Sequence, residues 1–236
     1  AWISGSYYGY LLMFSRMYWH LQDGGHLRIS KVARDPAIDF VYSPTLYHWR
    51  RLGLADSPMQ PAEAFSSHGK LVIQELDLRT FSEPTHYESQ NGKVDTAEQT
   101  LGVLDRAFSM CWARGMGGHW MEMYERWFRE PLILDVLSNQ YALYRSLPEK
   151  PLGLVPREVC IVSDEDSAFY VKNNAGDGIH NLLTSEFMRR LPEAGFSFRH
   201  VLLADLVEPG RVPPQKLYIA NNLLMLSEDA RRTLKA

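Results

Sequence analysis

The run Lys70-Leu-Val-Ile-Gln-Glu-Leu76 limits the fold more than any other stretch of the chain. Its apolar residues fall at both odd and even positions, so a strand made from it is greasy on both faces. Such a strand has to be covered on both sides, as strands are inside a parallel sheet flanked by helices. The surrounding chain fits that requirement. Short apolar runs alternate with helical patterns, the βαβ rhythm of a parallel sheet. Trp2–Leu12, Ile38–Tyr42, Lys70–Leu76 and Gly117–Met123 read as strands. Gly25–Ala33, Thr96–Arg114 and Pro131–Arg145 read as helices. In the second of these, Leu101, Leu104, Phe108 and Cys111 recur at spacings of three and four. Gly115 is its expected C-cap, and Pro131 suits the first turn of the third. The spacing thus predicts four strand–loop–helix units ending near Ser146.

Pro148, Pro151 and Pro156 mark residues 148–157 as a linker. From 158 onward a second α/β pattern begins. Val159–Val162, Phe198–Leu203 and Lys216–Ala220 read as strands, Ile179–Arg190 as a helix, and Ser163–Asp166 as a solvated acidic turn. Ser227, followed by Glu228 and Asp229, reads as the N-cap of a last helix. The chain opens inside an apolar segment and closes in this helix. We therefore expect an internal fragment of a longer protein, 1–147 and 158–236 being pieces of two domains.

Charge and composition exclude several classes. A net charge of −3 over 236 residues lacks the basic face of a nucleic-acid binder. No run approaches the ~18–20 uninterrupted apolar residues of a membrane span. Cys111 and Cys160 lie in apolar surroundings and read as buried thiols, which leaves the redox compartment open. The histidines show no zinc-site spacing, and the 164–166 turn lacks the Gly and terminal Glu of a calcium loop. No metal or other cofactor is expected. No Gly-x-Ser-x-Gly elbow is present. An amidotransferase-type elbow is also missing, since Cys160 lies within a strand.

The chemistry gathers at the end of the Lys70–Leu76 strand. The strand ends in Glu75, Asp77 and Arg79, and since side chains alternate along a strand these three are expected to share one face. Functional groups of parallel α/β folds collect at strand carboxyl ends. Two readings stand side by side: an ion pair that closes a rim, or a carboxylate held ionised as a nucleophile. Tyr8, Tyr10, Tyr42, Tyr47 and Trp120 fall at the corresponding ends of successive strands. Flat faces with polar tips suit sugar rings, although each also suits a plain core. Asp39 and Arg50 could contact sugar hydroxyls or cap the sheet. Glu122 could reach the same mouth or stand behind it as a hydrogen-bond acceptor.

The motifs Gly-Ser-Tyr-Tyr-Gly-Tyr (5–10), Gly-Gly-His-Leu (24–27), Ile-Asp-Phe-Val-Tyr-Ser-Pro (38–44), Gly-Lys-Leu-Val-Ile-Gln-Glu-Leu-Asp-Leu-Arg-Thr (69–80) and Gly-Gly-His-Trp-Met-Glu-Met (117–123) stand in an order that resembles glycoside hydrolase family 42. Trp127-Phe-Arg-Glu-Pro131 fits the same pattern. The later segments Val159–Ser163, Leu202–Asp205 and Lys216–Ser227 resemble that family's flavodoxin-like trimerisation domain. The resemblance implies strands five to eight of a (β/α)8 TIM barrel followed by a truncated flavodoxin-like domain. It implies a retaining β-galactosidase-like hydrolase with a carbohydrate substrate, no cofactor and a trimeric assembly.

Under the resemblance Glu75 matches the nucleophile, and Tyr8, Tyr10, Tyr47, Asp77, Arg79, Trp120 and Glu122 the substrate-binding rim. The family's acid/base residue, usually in an Asn-Glu pair on strand four, would precede Ala1. No Asn-Glu pair occurs in the chain. The Glu-Leu-Asp-Leu-Arg-Thr neighbourhood is not the commonest family sequence, and Glu122 stands where related chains often have Asp. The chain alone is expected to be inactive. The alternative is a non-catalytic carbohydrate-binding or scaffold relative.

Overall fold

In the computed structural model, residues 5–7, 28–45, 50–82, 94–122, 126–147, 157–170 and 187–235 are described. The elements are β1 (Gly5–Tyr7), α1 (Ile29–Arg34), β2 (Phe40–Pro44), α2 (Ala62–Ser66), β3 (Leu71–Leu76), α3 (Ala97–Arg114), β4 (Gly117–Trp120) and α4 (Pro131–Ser146). They continue with β5 (Val159–Ser163), a 3₁₀ turn (Asp166–Tyr170), α5 (Phe187–Glu193), β6 (Phe198–Leu202), α6 (Leu203–Leu206), β7 (Leu217–Ala220) and α7 (Glu228–Lys235). The protein is a mixed α/β chain with two small parallel sheets, ordered β1-β2-β3-β4 and β6-β5-β7. Among the described residues the first sheet is open, with β1 and β4 at its ends.

Local chemistry explains the element ends. Thr96 caps α3 by accepting from the Gln99 amide at 3.2 Å, and Gln99 Oε1 accepts from the Asp95 amide at 2.8 Å. Gly115 closes the helix at φ 68°, a left-handed conformation that suits glycine. Its own amide reaches Trp112 O at 3.0 Å and that of Met116 reaches Cys111 O at 2.9 Å, the paired bonds of a Schellman stop. Pro131 opens α4 as expected. Ser227 caps α7, its Oγ accepting from the Ala230 amide at 3.1 Å. The short helix α2 has no counterpart in the sequence reading; five residues are too few for a periodic pattern to register. The first strand is observed only at 5–7, and of the expected helix 179–190 only residues from Phe187 lie inside the described set.

The chain divides into two compact units. The first comprises Ala1–Ser43, Met59–Val72 and Pro156–Ala236, drawing on both sides of the proline-rich stretch. Its core forms around β5, which is buried at every residue, with Cys160, Val162, Val201, Leu203 and Ala230 in one cluster. Helix α2 packs on β6. Buried polar bonds fasten this layer. Glu63 pairs with Arg157 and accepts from the His200 amide at 3.3 Å, while Asp205 holds both Arg34 and His68 at 2.8 Å. Charges taken from water in this way have to be paired. The second unit comprises Pro44–Pro58 and Ile73–Val155 and contains most of β3 with α3, β4 and α4. It carries the chemistry described next.

Candidate active site

Strand β3 places its side chains through the ladder with β4. Ile73 faces Gly117, Gln74 faces Gly118, Glu75 faces His119 and Leu76 faces Trp120. Leu76, Gly118 and Trp120 line a cavity with α3 and α4, so that face of the strand pair is the helix side. A Cβ built on Gly118 would meet Leu76 Cδ1 at 3.2 Å and Cys111 Sγ at 3.8 Å, which fixes the same orientation. By alternation Glu75 and His119 belong to the opposite face. Glu75 is 6% exposed. Trp120 therefore does not share a face with Glu75, although both were expected at one rim.

The last rung of the ladder is Met121 N to Leu76 O at 3.2 Å. Beyond it, Asp77-Leu-Arg-Thr80 leaves the strand but stays buried. Glu75, Asp77 and Arg79 are thus not three steps of one strand, and the pleat does not set their directions. Hydrogen bonds do. Arg50, 1% exposed, places Nη2 2.6 Å from Asp77 Oδ1 in a close, buried ion pair. The same nitrogen, Nη2, donates to Thr45 O at 2.9 Å, while Nε donates to Thr45 Oγ1 at 2.8 Å and Nη1 to Asp77 O at 3.4 Å. Arg79 donates from Nη1 to Asp77 O at 3.0 Å and lays its guanidinium 3.9 Å from the centre of the Trp127 ring. The carboxylate of Asp77 thus pairs with Arg50. Burial raises the Asp77 carboxyl above the usual carboxylate range, and the Arg50 charge opposes that rise.

A second ring of charge supports the first. Arg106 on α3 donates to three carbonyls of the preceding loop: Arg51 O at 2.8 Å, Leu54 O at 2.9 Å and Arg50 O at 2.9 Å. This staples the backbone that carries Arg50. Asp56 lies 3.9 Å from Arg106 and accepts from the Ser57 amide at 2.9 Å. Burial pushes the Asp56 carboxyl from 3.8 up to about 6, against the pull of Arg106 and then Arg50.

Sequence reasoning did not single out Thr45, Asp56, Arg106 or His119. A charged residue on a helix reads as solvated, and no local signal shows that Arg106 turns inward. His119 was readable as a cross-strand partner of Glu75 only once the register was known. Glu122 is exposed just past β4. Tyr42 is half-buried in β2 and Asp39 is exposed. Tyr8, Tyr10 and Tyr47 lie outside the described residues.

Elsewhere the chemistry is closed off. The sheet order β6-β5-β7 puts a topological switch beside β5, where open α/β sheets commonly bind ligands. Here Asn222 fills it, accepting from the Asp164 amide at 2.7 Å and donating to Asp164 O at 2.9 Å. Ser167 Oγ accepts from the Leu224 and Met225 amides, both at 3.0 Å. The acidic turn is not solvated as expected: Asp164 and Glu165 are buried, and Glu165 accepts from the Ser30 amide at 3.1 Å. Ser163 and His200 form a 2.8 Å pair, both fully buried. Among the described residues no group of three His, Cys, Asp or Glu could hold a metal ion. No described helix is long and apolar enough to cross a membrane. No protein-family model, curated protein or solved structure matches this chain.

Proposed function

We propose that the chain is part of a retaining glycoside hydrolase acting on β-galactosides or related β-glycosides, with Glu75 as nucleophile. On this reading the first four strands are strands five to eight of a (β/α)8 barrel, and the β6-β5-β7 sheet is the start of a flavodoxin-like trimerisation domain. One observation carries the proposal: Glu75 is a buried carboxylate near the carboxyl end of a parallel strand, on the face away from α3 and α4. That is where a barrel of this kind presents its catalytic groups. The Arg50–Asp77 pair and the Arg79–Trp127 stack just beyond it hold the chain that follows.

In the mechanism, Glu75 attacks the anomeric carbon and the leaving group departs with a proton from a second carboxylic acid. Water then cleaves the glycosyl ester, with that second group acting as base. The acid/base Glu lies upstream of Ala1 on this reading, since no Asn-Glu pair occurs in the chain. His119, across the ladder from Glu75, stands at the edge of the same face.

The test uses the protein encoded by the parent gene with its upstream sequence. An activated 2-deoxy-2-fluoro-β-galactoside should trap an ester on the peptide holding Glu75, read by mass spectrometry. Glu75→Gln should lower aryl β-galactoside turnover by about 10³-fold or more. Labelling elsewhere, or turnover unchanged in Glu75→Gln, overturns the assignment. Absence of turnover in the intact protein, with sugar binding retained, would leave the carbohydrate-binding alternative.

A further inference from the structure

The segments that follow β3 and β4 are fastened to each other at the carboxyl end of the sheet. Thr80, fully buried, donates from Oγ1 to Trp127 O. Ser82 Oγ donates to Arg126 O at 2.8 Å and lies 3.0 Å from Trp127 O. Arg79 sets its guanidinium 3.9 Å from the centre of the Trp127 ring, and Trp127 is itself fully buried. The segment that supplies the two hydroxyls is in turn tied to α3, where Thr100 Oγ1 accepts from the Phe81 amide at 2.9 Å. All of these residues belong to the second unit.

This clamp holds a backbone conformation that its residue does not favour. Arg126 has φ 90°, on the side of the map that a long side chain rarely visits and that glycine adopts without steric cost. Strain of this kind persists only where the surroundings over-determine it, and it gathers at functional sites. The other end of the same segment is fixed as well. Met121 N donates to Leu76 O at 3.2 Å, one residue past Glu75. Glu122 comes next and is exposed. It therefore stands between two anchors, Met121 on one side and Arg126 with Trp127 on the other. Both anchors are attached to the strand that carries Glu75 or to the residues just after it.

We propose that Thr80 and Ser82 are positioning residues, whose hold on the Arg126 and Trp127 carbonyls fixes Glu122 relative to Glu75 for substrate binding. The inference rests on the glycosidase reading, in which Glu75 attacks the sugar and Glu122 binds it at the rim. A carboxylate that accepts from a sugar hydroxyl has to hold its place relative to the nucleophile, since a misplacement of about 1 Å can cost about 10²-fold in rate. An exposed side chain on a loose loop also loses freedom when it binds. Anchoring the backbone at both ends removes part of that loss beforehand.

The experiment uses the protein encoded by the parent gene with its upstream sequence. Wild type is first labelled with the 2-deoxy-2-fluoro-β-galactoside. Failure to label Glu75 overturns the glycosidase reading and this inference with it. Once labelling is seen, Thr80→Val, which keeps the shape and removes the hydroxyl, should lower kcat/KM for an aryl β-galactoside by about 10- to 100-fold. Thr80→Ser restores the hydroxyl and should recover most of that loss. In a Glu122→Gln background Thr80→Val should cost less than about three-fold, because the group it positions is already gone. Ser82→Ala, at a half-buried site, runs the same cycle if Thr80→Val does not fold. Arg126→Gly releases the strain. It should unfold at an equal or higher temperature and still lose about three- to ten-fold in kcat/KM, a split that a purely structural role does not produce. In a protein that labels at Glu75, the inference alone is overturned if Thr80→Val and Ser82→Ala match wild type in kcat/KM. It is equally overturned if their losses multiply in full with that of Glu122→Gln, or if Arg126→Gly loses stability and activity together.

Discussion

Arg50 shows what a buried charge requires to remain a charge. It is almost wholly inaccessible, and its guanidinium is shared among Asp77, the Thr45 hydroxyl and the Thr45 carbonyl. Removing one partner of such a pair leaves the other stranded, at a cost of about 3–5 kcal/mol. Arg50→Ala and Asp77→Ala should each destabilise the second unit by about that amount in urea titration. The double variant should cost less than their sum, because no unpaired charge remains.

Asp56 behaves differently, since its nearest cation is 3.9 Å away and burial dominates. Its folded value of about 6 exceeds the ordinary 3.8, so the native state holds the proton more tightly than the unfolded chain. The stabilisation from this group is full below pH 3.8 and is lost as pH rises through about 6. The change is on the order of 3 kcal/mol at about 1.4 kcal/mol per pH unit. Urea midpoints of wild type and Asp56→Asn at pH 4, 5, 6 and 7 should therefore converge differently. Wild type gains on acidification relative to the variant, and parallel profiles would refute the shift. None of this was visible from sequence, because burial of Asp56 depends on Arg106 reaching across from α3.

At the scale of elements, the sequence was most readable where local chemistry sets the outcome. Helix α3 runs over Ala97–Arg114, with Thr96 and Gly115 at its ends as the pattern indicated. Thr96→Ala should cost about 1 kcal/mol through the lost cap. Gly115→Ala should cost about 1–2 kcal/mol, because φ 68° is strained for any residue with a Cβ. The two ends are ~27 Å apart at 1.5 Å per residue, so the effects on thermal unfolding should add. Strand β3 was legible too, but its end was not. The sequence alternation continues through Asp77 and Arg79, whereas the ladder stops at Leu76. Pairing depends on where β4 turns away, and β3 alone cannot record that. Helix α4 is apolar around much of its circumference, with Leu132, Leu134, Tyr141, Leu143 and Tyr144 exposed. Periodicity revealed the helix and left open which stripe faces inward.

Across the whole molecule, each unit carries one buried thiol: Cys160 in the first and Cys111 in the second. Burial is the main cause that pushes each thiol up to about 12, so neither offers thiolate at neutral pH. Both should resist Ellman's reagent at pH 8 in native protein and react only through the unfolding transition. Pulse labelling with peptide mapping then reads the two units separately, and fast native labelling of either cysteine would contradict its burial. The sequence by itself determined the α/β class, most helix and strand positions, the C-cap of α3, the N-cap of α7, and the buried character of both cysteines. These follow from short-range periodicity, capping and hydrophobicity, which act within about a dozen residues. Tertiary structure alone decided that Asp77 pairs with Arg50, that Arg106 staples the loop behind them, and that Glu75 faces His119 while Trp120 points the other way. It also decided that residues on both sides of the proline-rich stretch share one core. Such pairings join groups tens of residues apart, and their energies depend on burial and register, which exist only once the chain has folded.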